Sequence, residues 1–367
     1  DIPLLGHHFG SSVGEVRVWC IPRSPCRVHA ACCLMLLDSD DLEEPSEELL
    51  KEVQAEVDLD VEVEELLRRP ADLSQEVDVA KIPWLPHGAG VFGKAVRLFC
   101  FYGVGSDADS FGQWLRILHR SNSESLIRIC PVELPGHGSY RGWSSGSVHE
   151  VAEKFVLDVI DRLAKDQRPF ALFGFCVGAR LAYEVARRRQ PVRLYIVGRA
   201  APHVGGFGKD AALRHFPNPD STEMRADPAA TLRWTSMEYG GGGVLATERL
   251  IAAAEQEGNL EQLQQMAKVL WDDIDLGHSL PRDFDTAGRR LRKAIRCRLH
   301  IFMGEYDNVW TLDEVGDSWS GYQAAGQPRE TAYELSHAEL CSPEGGAVLD
   351  SVLEDLEALC QAARSAL

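Results

Sequence analysis

Residues 174–178 read Gly-Phe-Cys-Val-Gly and suggest covalent chemistry at Cys176. A short apolar run, 169–173, precedes them, and a helical pattern starts near Ala179. A nucleophile on a tight strand-to-helix turn needs small residues two positions before and after it, because larger side chains would collide with neighbouring backbone. We therefore predict that Cys176 is a nucleophile on such a turn, with Gly174 and Gly178 as its glycines. The alternative is a buried cysteine that stands between two glycines by chance.

A nucleophile of this kind requires a base and an orienting carboxylate, which follow it along the chain in the order acid, then histidine. Asp307 comes just after the apolar run 299–303, and His337 comes just after the β-rich run 331–335. We predict Asp307 as the acid and His337 as the base. The competing residues are Glu305, His137 and His203.

Backbone amides are the expected donors to the negative charge that develops on a substrate carbonyl oxygen. The amide of Val177 opens the helix after the nucleophile, where the helix dipole favours negative charge. A second amide, from Gly103 or Val104, is expected from the small-residue loop after the apolar run 96–101. The alternative for this loop is phosphate binding, but no Gly-Lys-Ser/Thr follows it and its spacing does not fit a dinucleotide-binding fingerprint.

Six β-rich apolar runs alternate with helical patterns from about residue 95 onward: 96–101, 126–132, 169–173, 192–197, 299–303 and 331–335. The alternation is typical of the α/β class, with a mostly parallel sheet covered by helices on both faces. Between the second and third runs, apolar residues from Val148 to Leu163 follow a 3.6-residue period and predict a sheet-covering helix. Because parallel strands end at one edge, we expect Cys176, Asp307 and His337 to meet there.

Composition divides the chain into two parts. Residues 1–95 contain 8 Lys and Arg against 19 Asp and Glu, a net charge of −11. We therefore predict an acidic N-terminal extension or linker over 1–94, partly disordered, and a catalytic domain over 95–367. Mostly helical, polar-rich sequence from about 205 to 290 interrupts the alternation, and we predict that it forms a lid over the sheet edge.

The overall composition excludes several classes of function. The chain has 367 residues, a formal net charge of −18 and 45% hydrophobic residues. An acidic surface repels nucleic-acid phosphates and anionic lipids, and no apolar stretch approaches the roughly 20 residues of a membrane helix. We expect no nucleic-acid partner and no membrane association.

Ten cysteines are too few for a disulfide scaffold in a chain of this length, and they show no paired metal-ligand spacing. We expect no metal site and a reducing, cytoplasmic location, with a plastid as the alternative. The chain begins at Asp1, so we expect that the true N-terminus lies outside this sequence.

The chain resembles the type II thioesterases of polyketide synthase and nonribosomal peptide synthetase systems over about residues 95–365. The resemblance rests on four segments: 98–106 (Leu-Phe-Cys-Phe-Tyr-Gly-Val-Gly-Ser), 133–138 (Glu-Leu-Pro-Gly-His-Gly), 170–178 (Phe-Ala-Leu-Phe-Gly-Phe-Cys-Val-Gly) and 197–203 (Val-Gly-Arg-Ala-Ala-Pro-His). It implies the α/β-hydrolase fold with a helical lid and a thioester hydrolase activity. It also maps the family's acid and histidine onto Asp307 and His337.

Two departures from the family pattern bear on mechanism. The family usually has Ser where this chain has Cys176, and its first loop usually reads Phe-Pro-x-Ala-Gly-Gly where this chain reads Phe-Tyr-Gly-Val-Gly-Ser over 101–106. Related chain-terminating thioesterases often keep their acid after the strand next to the nucleophile, where this chain has Gly198-Arg199-Ala200 and no carboxylate.

The resemblance implies hydrolysis or transfer of acyl groups from the phosphopantetheine arm of an acyl or peptidyl carrier protein, or of a carrier domain of a synthase. No cofactor is expected beyond that arm, which arrives with the substrate, and we expect a monomer. Two alternatives remain: a non-catalytic scaffold or docking domain whose nucleophile turn has drifted, and a carboxylester hydrolase on the same fold.

Overall fold

The computed structural model describes residues 5–11, 14–20, 61–63, 65–68, 82–89, 96–120, 126–140, 146–204, 222–239, 244–278, 295–324, 326–342 and 346–365. Much of the predicted acidic extension and part of the predicted lid therefore lie outside the described residues. Within the extension, β1 (Leu5–Ser11) pairs with β2 (Gly14–Cys20) as an antiparallel hairpin. The sequence analysis predicted no strands in this region.

All six predicted strands are present, and they form one parallel sheet. They are β3 (Val96–Phe101), β4 (Ile127–Pro131), β5 (Phe170–Phe175), β6 (Arg193–Val197), β7 (Arg298–Gly304) and β8 (Arg329–Tyr333). Their order in the sheet is β4-β3-β5-β6-β7-β8. Strands β4 and β5 thus lie on opposite sides of β3, so the direction in which successive strands are added to the sheet reverses there. Ligand sites of open parallel sheets form at such a point, beyond the carboxyl ends of the strands.

Nine α-helices lie in the described part of the chain outside the short N-terminal piece at 61–68. They are α1 (Gly112–Arg120), α2 (Val148–Phe155), α3 (Val177–Ala186), α4 (Thr222–Ala226), α5 (Pro228–Tyr239), α6 (Val244–Glu257), α7 (Leu260–His278), α8 (Leu312–Gly316) and α9 (Gly346–Ser365). A π turn at Val156–Ile160 and a last turn at Asp161–Leu163 continue α2. None of the helices in the described ranges combines the length and apolar character needed to cross a membrane.

Helices cover both faces of the sheet, as the alternation predicts. On one face, Phe173 packs edge-to-face against Trp114 of α1, and its register partner Tyr195 donates a hydrogen bond to Asp355 of α9. On the opposite face, Phe99 of β3 packs against Phe155 of α2. Together with the six-stranded parallel sheet, this arrangement is that of the α/β-hydrolase fold.

The amphipathic pattern of α2 is borne out by burial. The helix begins after Ser147, whose hydroxyl accepts from the Glu150 amide while the Glu150 carboxylate accepts from the Ser147 amide. This capping box satisfies two of the amides that a helix start leaves unpaired. The apolar positions that follow the 3.6-residue period are all buried: Val148, Val151, Ala152, Phe155, Val159, Ile160 and Leu163.

The packed part of the chain starts before residue 95. Trp84 is fully buried, packs edge-to-face on Phe155, and donates its indole N–H to Asp158. Its backbone carbonyl accepts from the Glu133 amide at 2.8 Å. The proline- and glycine-containing segment 82–89 thus belongs to the core, because its aromatic anchor fills a site between α2 and the loop after β4. Acidity alone does not mark where the domain begins.

Four helices, α4 to α7, lie between β6 and β7, inside the region predicted as a lid. Trp234 of α5 and Trp271 of α7 stack with ring centroids 5.6 Å apart, and Trp271 donates its indole N–H to Thr231. These contacts join α5 to α7. The role of this region as a lid stays a prediction.

Candidate active site

Cys176 lies on a sharp turn between β5 and α3, as the sequence predicts. Its backbone adopts φ 52° and ψ −117°, a conformation that L-residues rarely hold. The Cys176 amide donates to the Val197 carbonyl of the neighbouring strand at 3.0 Å, which fixes the turn against the sheet. Strained residues of this kind persist only where the surrounding structure over-determines them, and they concentrate at functional sites.

The two flanking glycines are required by close backbone approach. A Cβ atom at Gly174 would overlap the backbone of Gly178 and Ala179, and one at Gly178 would overlap the carbonyl oxygens of Phe101 and Tyr102. Neither position tolerates a side chain without moving β3 or α3. The spacing therefore has a steric cause, which weakens the alternative that the glycines are there by chance.

Asp307 and His337 meet at the carboxyl ends of β7 and β8. His337 Nδ1 lies 2.7 Å from Asp307 Oδ2, and both side chains are 2% exposed. The other carboxylate oxygen of Asp307 accepts from the amides of Val309 and Trp310, at 2.7 and 3.0 Å. The competing carboxylate, Glu305, is exposed to solvent. Asp307 is thus held by the backbone of its own loop while it orients the imidazole.

Cys176 and His337 perturb each other's ionisation. Burial alone would raise the pKa of Cys176, but the charge and hydrogen bond of His337, together with the charge of Arg199, lower it. Burial alone would lower the pKa of His337, but Asp307 and Cys176 raise it to about 10. Both shifts favour the thiolate–imidazolium form of the pair over the neutral form, and the thiolate is the reactive form of a cysteine nucleophile.

The segment after β6 contributes a glycine and a cation to the same site. Gly198 has φ +57°, and a Cβ atom there would lie 3.2 Å from the His337 ring. Arg199 is 1% exposed, and its guanidinium lies 5.0 Å from the ring centre of Trp310. Related thioesterases often have their acid in this segment. Here Gly198 leaves room for the imidazole instead, and Arg199 supplies positive charge near the Cys176 sulfur.

The predicted oxyanion donors surround Cys176. The Val177 amide hydrogen-bonds the sulfur and lowers its pKa. On the other side, a Cβ atom at Gly103 would lie 3.3 Å from the Cys176 Cβ, and Val104 packs against both the main core and the helices between β6 and β7. The roles of Val177, Gly103 and Val104 as donors stay predictions.

The two rival histidines have other contacts. His137 Nε2 pairs with the buried carboxylate of Asp273 on α7. His203 stacks on Tyr322, and its Nδ1 lies 2.8 Å from the tyrosine hydroxyl. Among the described histidines, His337 is the one that pairs with a buried carboxylate after β7 and lowers the pKa of Cys176.

Residues 96–358 match the family described as Thioesterase domain. The chain belongs to this family. The matched range contains all of the predicted site residues, from Gly103 to His337.

Two curated relatives of this thioesterase domain have names that refer to gramicidin. Linear gramicidin dehydrogenase LgrE of Brevibacillus parabrevis is 30% identical over 155 residues, which is 39% of this chain and 54% of LgrE. Gramicidin S biosynthesis protein GrsT of Aneurinibacillus migulanus is 30% identical over 120 residues, which is 30% of this chain and 42% of GrsT. The chain spans about half the length of the curated relatives that it matches.

Among solved structures, the thioesterase domain resembles the type II thioesterase BorB from the borrelidin biosynthetic cluster. The two share 22% identity with a TM-score of 0.52, and the match covers 77% of this chain and 99% of BorB. A likeness at this level of identity shows the fold, and it agrees with the α/β-hydrolase fold described above.

Sequence reasoning missed Asp273, which is buried against the loop that follows β3. A signal was available, because Asp273 lies three residues after Leu270 and one before Ile274, on the apolar face of α7. A carboxylate on the inward face of a helix needs a partner. Which partner it has is visible only in three dimensions.

Proposed function

We propose that the thioesterase domain hydrolyses acyl thioesters carried on phosphopantetheine, through a covalent intermediate on Cys176. The observation that carries the proposal is the buried His337–Asp307 pair beyond the strand ends, whose imidazole lowers the pKa of the Cys176 thiol. In this proposal residues 95–367 form the catalytic domain, with 205–290 as its lid. The acidic segment 1–94 is appended to it and contributes the packed stretch 82–89 to its core.

In the first step, the Cys176 thiolate attacks the thioester carbonyl carbon. The new C–S bond forms as the carbonyl π electrons move to oxygen, where the amides of Val177 and of Gly103 or Val104 stabilise the negative charge. The tetrahedral intermediate then expels the pantetheine thiolate, and His337 supplies its proton. Asp307 keeps the imidazole in the tautomer that carries out this transfer.

In the second step, His337 takes a proton from water, and the hydroxide attacks the acyl-Cys176 carbonyl. Collapse of that intermediate breaks the C–S bond and returns the electron pair to the Cys176 sulfur. An acyl-cysteine is itself a thioester, so acylation exchanges one thioester for another at little cost. It also reacts readily with amines and thiols, which makes transfer to such an acceptor the main alternative to hydrolysis.

The relatives support a carrier-bound substrate. GrsT is named for gramicidin S biosynthesis, and BorB is a type II thioesterase from a biosynthetic cluster. We infer that the partner is an acyl or peptidyl carrier protein, or a carrier domain of a synthase, and that the phosphopantetheine arm enters with it. LgrE is named a dehydrogenase, but the loop at 101–106 lacks the spacing of a dinucleotide-binding fingerprint.

The proposal is tested by acyl release from an acyl-carrier protein and from the matching acyl-N-acetylcysteamine thioester. Wild type is expected to release the acyl group and to show an acyl adduct by intact-mass spectrometry, whereas Cys176→Ala shows neither. Equal release by both proteins would remove Cys176 from the chemistry. A protein with no release and no adduct is the outcome expected of a scaffold.

Two further arms separate the remaining alternatives. A matched oxygen ester identifies a carboxylester hydrolase if it is turned over faster than the thioester. Cys176→Ser distinguishes hydrolysis from transfer of the acyl group. If the serine variant releases the acyl group faster than wild type, hydrolysis is the native reaction. If the serine variant forms no product while wild type is acylated on Cys176, transfer is the native reaction.

A further inference from the structure

Helix α7 holds the loop that follows β3 by a buried carboxylate. The Gly105 amide donates to Asp273 Oδ2 at 2.8 Å. Gly105 has φ +72°, and a Cβ atom there would overlap the side chain of Leu270, one turn earlier on the same helix. The loop is therefore seated on α7 by one hydrogen bond and by direct backbone-to-side-chain packing.

The carboxylate of Asp273 has a second partner in His137. His137 Nε2 lies 3.1 and 3.2 Å from the two Asp273 oxygens, and its Nδ1 lies 3.3 Å from the Pro135 carbonyl oxygen. A carbonyl and an ionised carboxylate accept hydrogen bonds only, so with Asp273 ionised both ring nitrogens of His137 donate, as they do in the imidazolium form. Burial opposes this charge, but the hydrogen bond and charge of Asp273 raise the pKa of His137.

The Asp273–His137 pair is shielded from water, with side chains 1% and 4% exposed. A carboxylate buried to this degree is tolerated only when it is paired and hydrogen-bonded. Here the imidazolium balances its charge and the Gly105 amide fills a remaining lone pair. Loss of either partner leaves the other charge buried, so the contact works as a unit.

The same loop lies against the nucleophile. Gly103 is close enough to Cys176 that an added Cβ atom would lie 3.3 Å from the cysteine Cβ and 2.9 Å from the Phe175 ring. Only Val104 separates Gly103 from Gly105. A shift at Gly105 therefore displaces the two amides from which the second oxyanion donor is expected.

A second contact fixes the same end of α7, one turn after Asp273. The Gly277 carbonyl, in the last turn of the helix, accepts from Arg180 of α3 and, at 3.2 Å, from Arg199. Both arginines are 1% exposed. Helix α7 is thus joined to the loop after β3 at Asp273 and to the cation beside Cys176 at Gly277.

We propose that Asp273 is a positioning residue for the acyl-transfer reaction. Charge-balanced by His137, it holds the loop at 103–105 so that its amides face the developing oxyanion. The inference rests on the proposed function. It assigns helix α7 a part in the chemical step, in addition to any part in binding the acyl chain.

The test compares Asp273→Asn with Asp275→Asn, two carboxylate-to-amide changes on one helix. Asp275 lies at the surface and pairs with Arg225 at 2.7 Å. Asp273→Asn keeps an acceptor for the Gly105 amide but removes the charge that His137 needs. We expect kcat to fall about 10²-fold with KM changed less than about threefold, because misplacement by about 1 Å costs this much in the chemical step. Asp275→Asn is expected to match wild type.

Alkylation of Cys176 by iodoacetamide, followed by peptide mass spectrometry, separates positioning from collapse of the site. This reaction needs the thiolate but no oxyanion donor, so Asp273→Asn is expected to keep the wild-type rate. A parallel fall in alkylation and kcat would overturn the inference, as would a wild-type kcat in Asp273→Asn.

A double variant tests whether the two residues act as a unit. His137→Gln alone is expected to lower kcat, and His137→Gln with Asp273→Asn is expected to be no worse than the more damaging single variant, because both changes break one contact. Additive losses would contradict the proposal. Failure of the proposed function is a different outcome, since wild type itself would then show no Cys176-dependent release.

Discussion

The two ends of the parallel sheet each hold a buried histidine and a buried cysteine. The pKa shifts of these residues at one end are opposite in sign to those at the other end. At the carboxyl end, the pKa of Cys176 is lowered and that of His337 is raised to about 10. Towards the amino end, burial raises the pKa of Cys297 to about 12, and burial with the charge of Arg329 lowers that of His300 to about 4.

Burial does not account for this difference, because all four side chains lie inside the protein. The partners do. His337 has a buried carboxylate 2.7 Å away, whereas His300 contacts the hydroxyl of Thr331 at 3.0 Å and is near the cationic side chains of Arg329 and Arg193. A buried counter-charge in hydrogen-bond contact converts the penalty of desolvation into an ion pair. The charge of Asp355 also raises the pKa of His300, but burial and the two arginines outweigh it and keep the neutral form.

The largest expected effect is the difference in kcat between two variants, each of which neutralises a carboxylate at one end of the sheet. Asp307→Asn is expected to lower kcat about 10⁴-fold, because the imidazole loses its tautomer and its counter-charge. Asp355→Asn, at the amino end, keeps one acceptor oxygen for Tyr195 and Arg193 but removes the charge that pairs with Arg193. It is expected to leave kcat near wild type and to cost about 1–3 kcal/mol of stability. Steady-state kinetics and thermal unfolding of both variants measure this contrast, and equal kinetic losses would contradict it.

The next effect is on thiol reactivity. Because the pKa of Cys176 is lowered and that of Cys297 is raised, the thiolate of Cys176 persists to lower pH. At pH 7 we expect Cys176 to be alkylated at least about 100-fold faster than Cys297. His337→Ala removes the partner and is expected to shift the pH dependence of Cys176 alkylation upward. Peptide-resolved mass spectrometry against pH measures both sites in one sample, and an unshifted profile in His337→Ala would argue against the ion pair.

A smaller effect is expected on the backbone of the nucleophile turn. Gly178→Ala forces a methyl group against the carbonyl oxygens of Phe101 and Tyr102. Overpacking of this kind costs roughly 1–3 kcal/mol of stability. The control is Gly346→Ala at the start of α9, where nothing lies within 4 Å of an added Cβ. Urea unfolding compares the two, and equal midpoints would show that the turn relaxes freely.

The smallest effect is the acid stability of the amino end. Because the folded-state pKa of His300, about 4, is below its ordinary value of 6.5, neutral His300 stabilises the fold above pH 6.5. That contribution is lost as the pH falls from 6.5 through 4. His300→Gln does not titrate and is expected to flatten the fall in melting temperature over this range. The pKa of His337 is raised, so the pH dependence has the opposite sign: the stability that protonated His337 contributes is lost as the pH rises through 10.

Local pattern was enough to predict the six strands of the sheet and the helix over 148–163. Strand ends moved by up to two residues, as for β8, which begins at Arg329 instead of 331. Local pattern did not indicate the burial of Trp84, because that burial depends on α2 and the loop after β4, which lie far away in sequence. Asp273 was missed for the same reason.

What the amino-acid sequence determined by itself is the set of chemical groups and the order of the elements that carry them. The steric need for glycine at 174 and 178 and the placement of Asp307 and His337 after strands follow from short-range geometry and the single edge of a parallel sheet. Only the tertiary structure decided the charge states. Those depend on which groups meet in a space without water, such as Asp307 with His337 and Asp273 with His137, because electrostatic energies there are set by distances between residues that the chain separates by 30 to 136 positions.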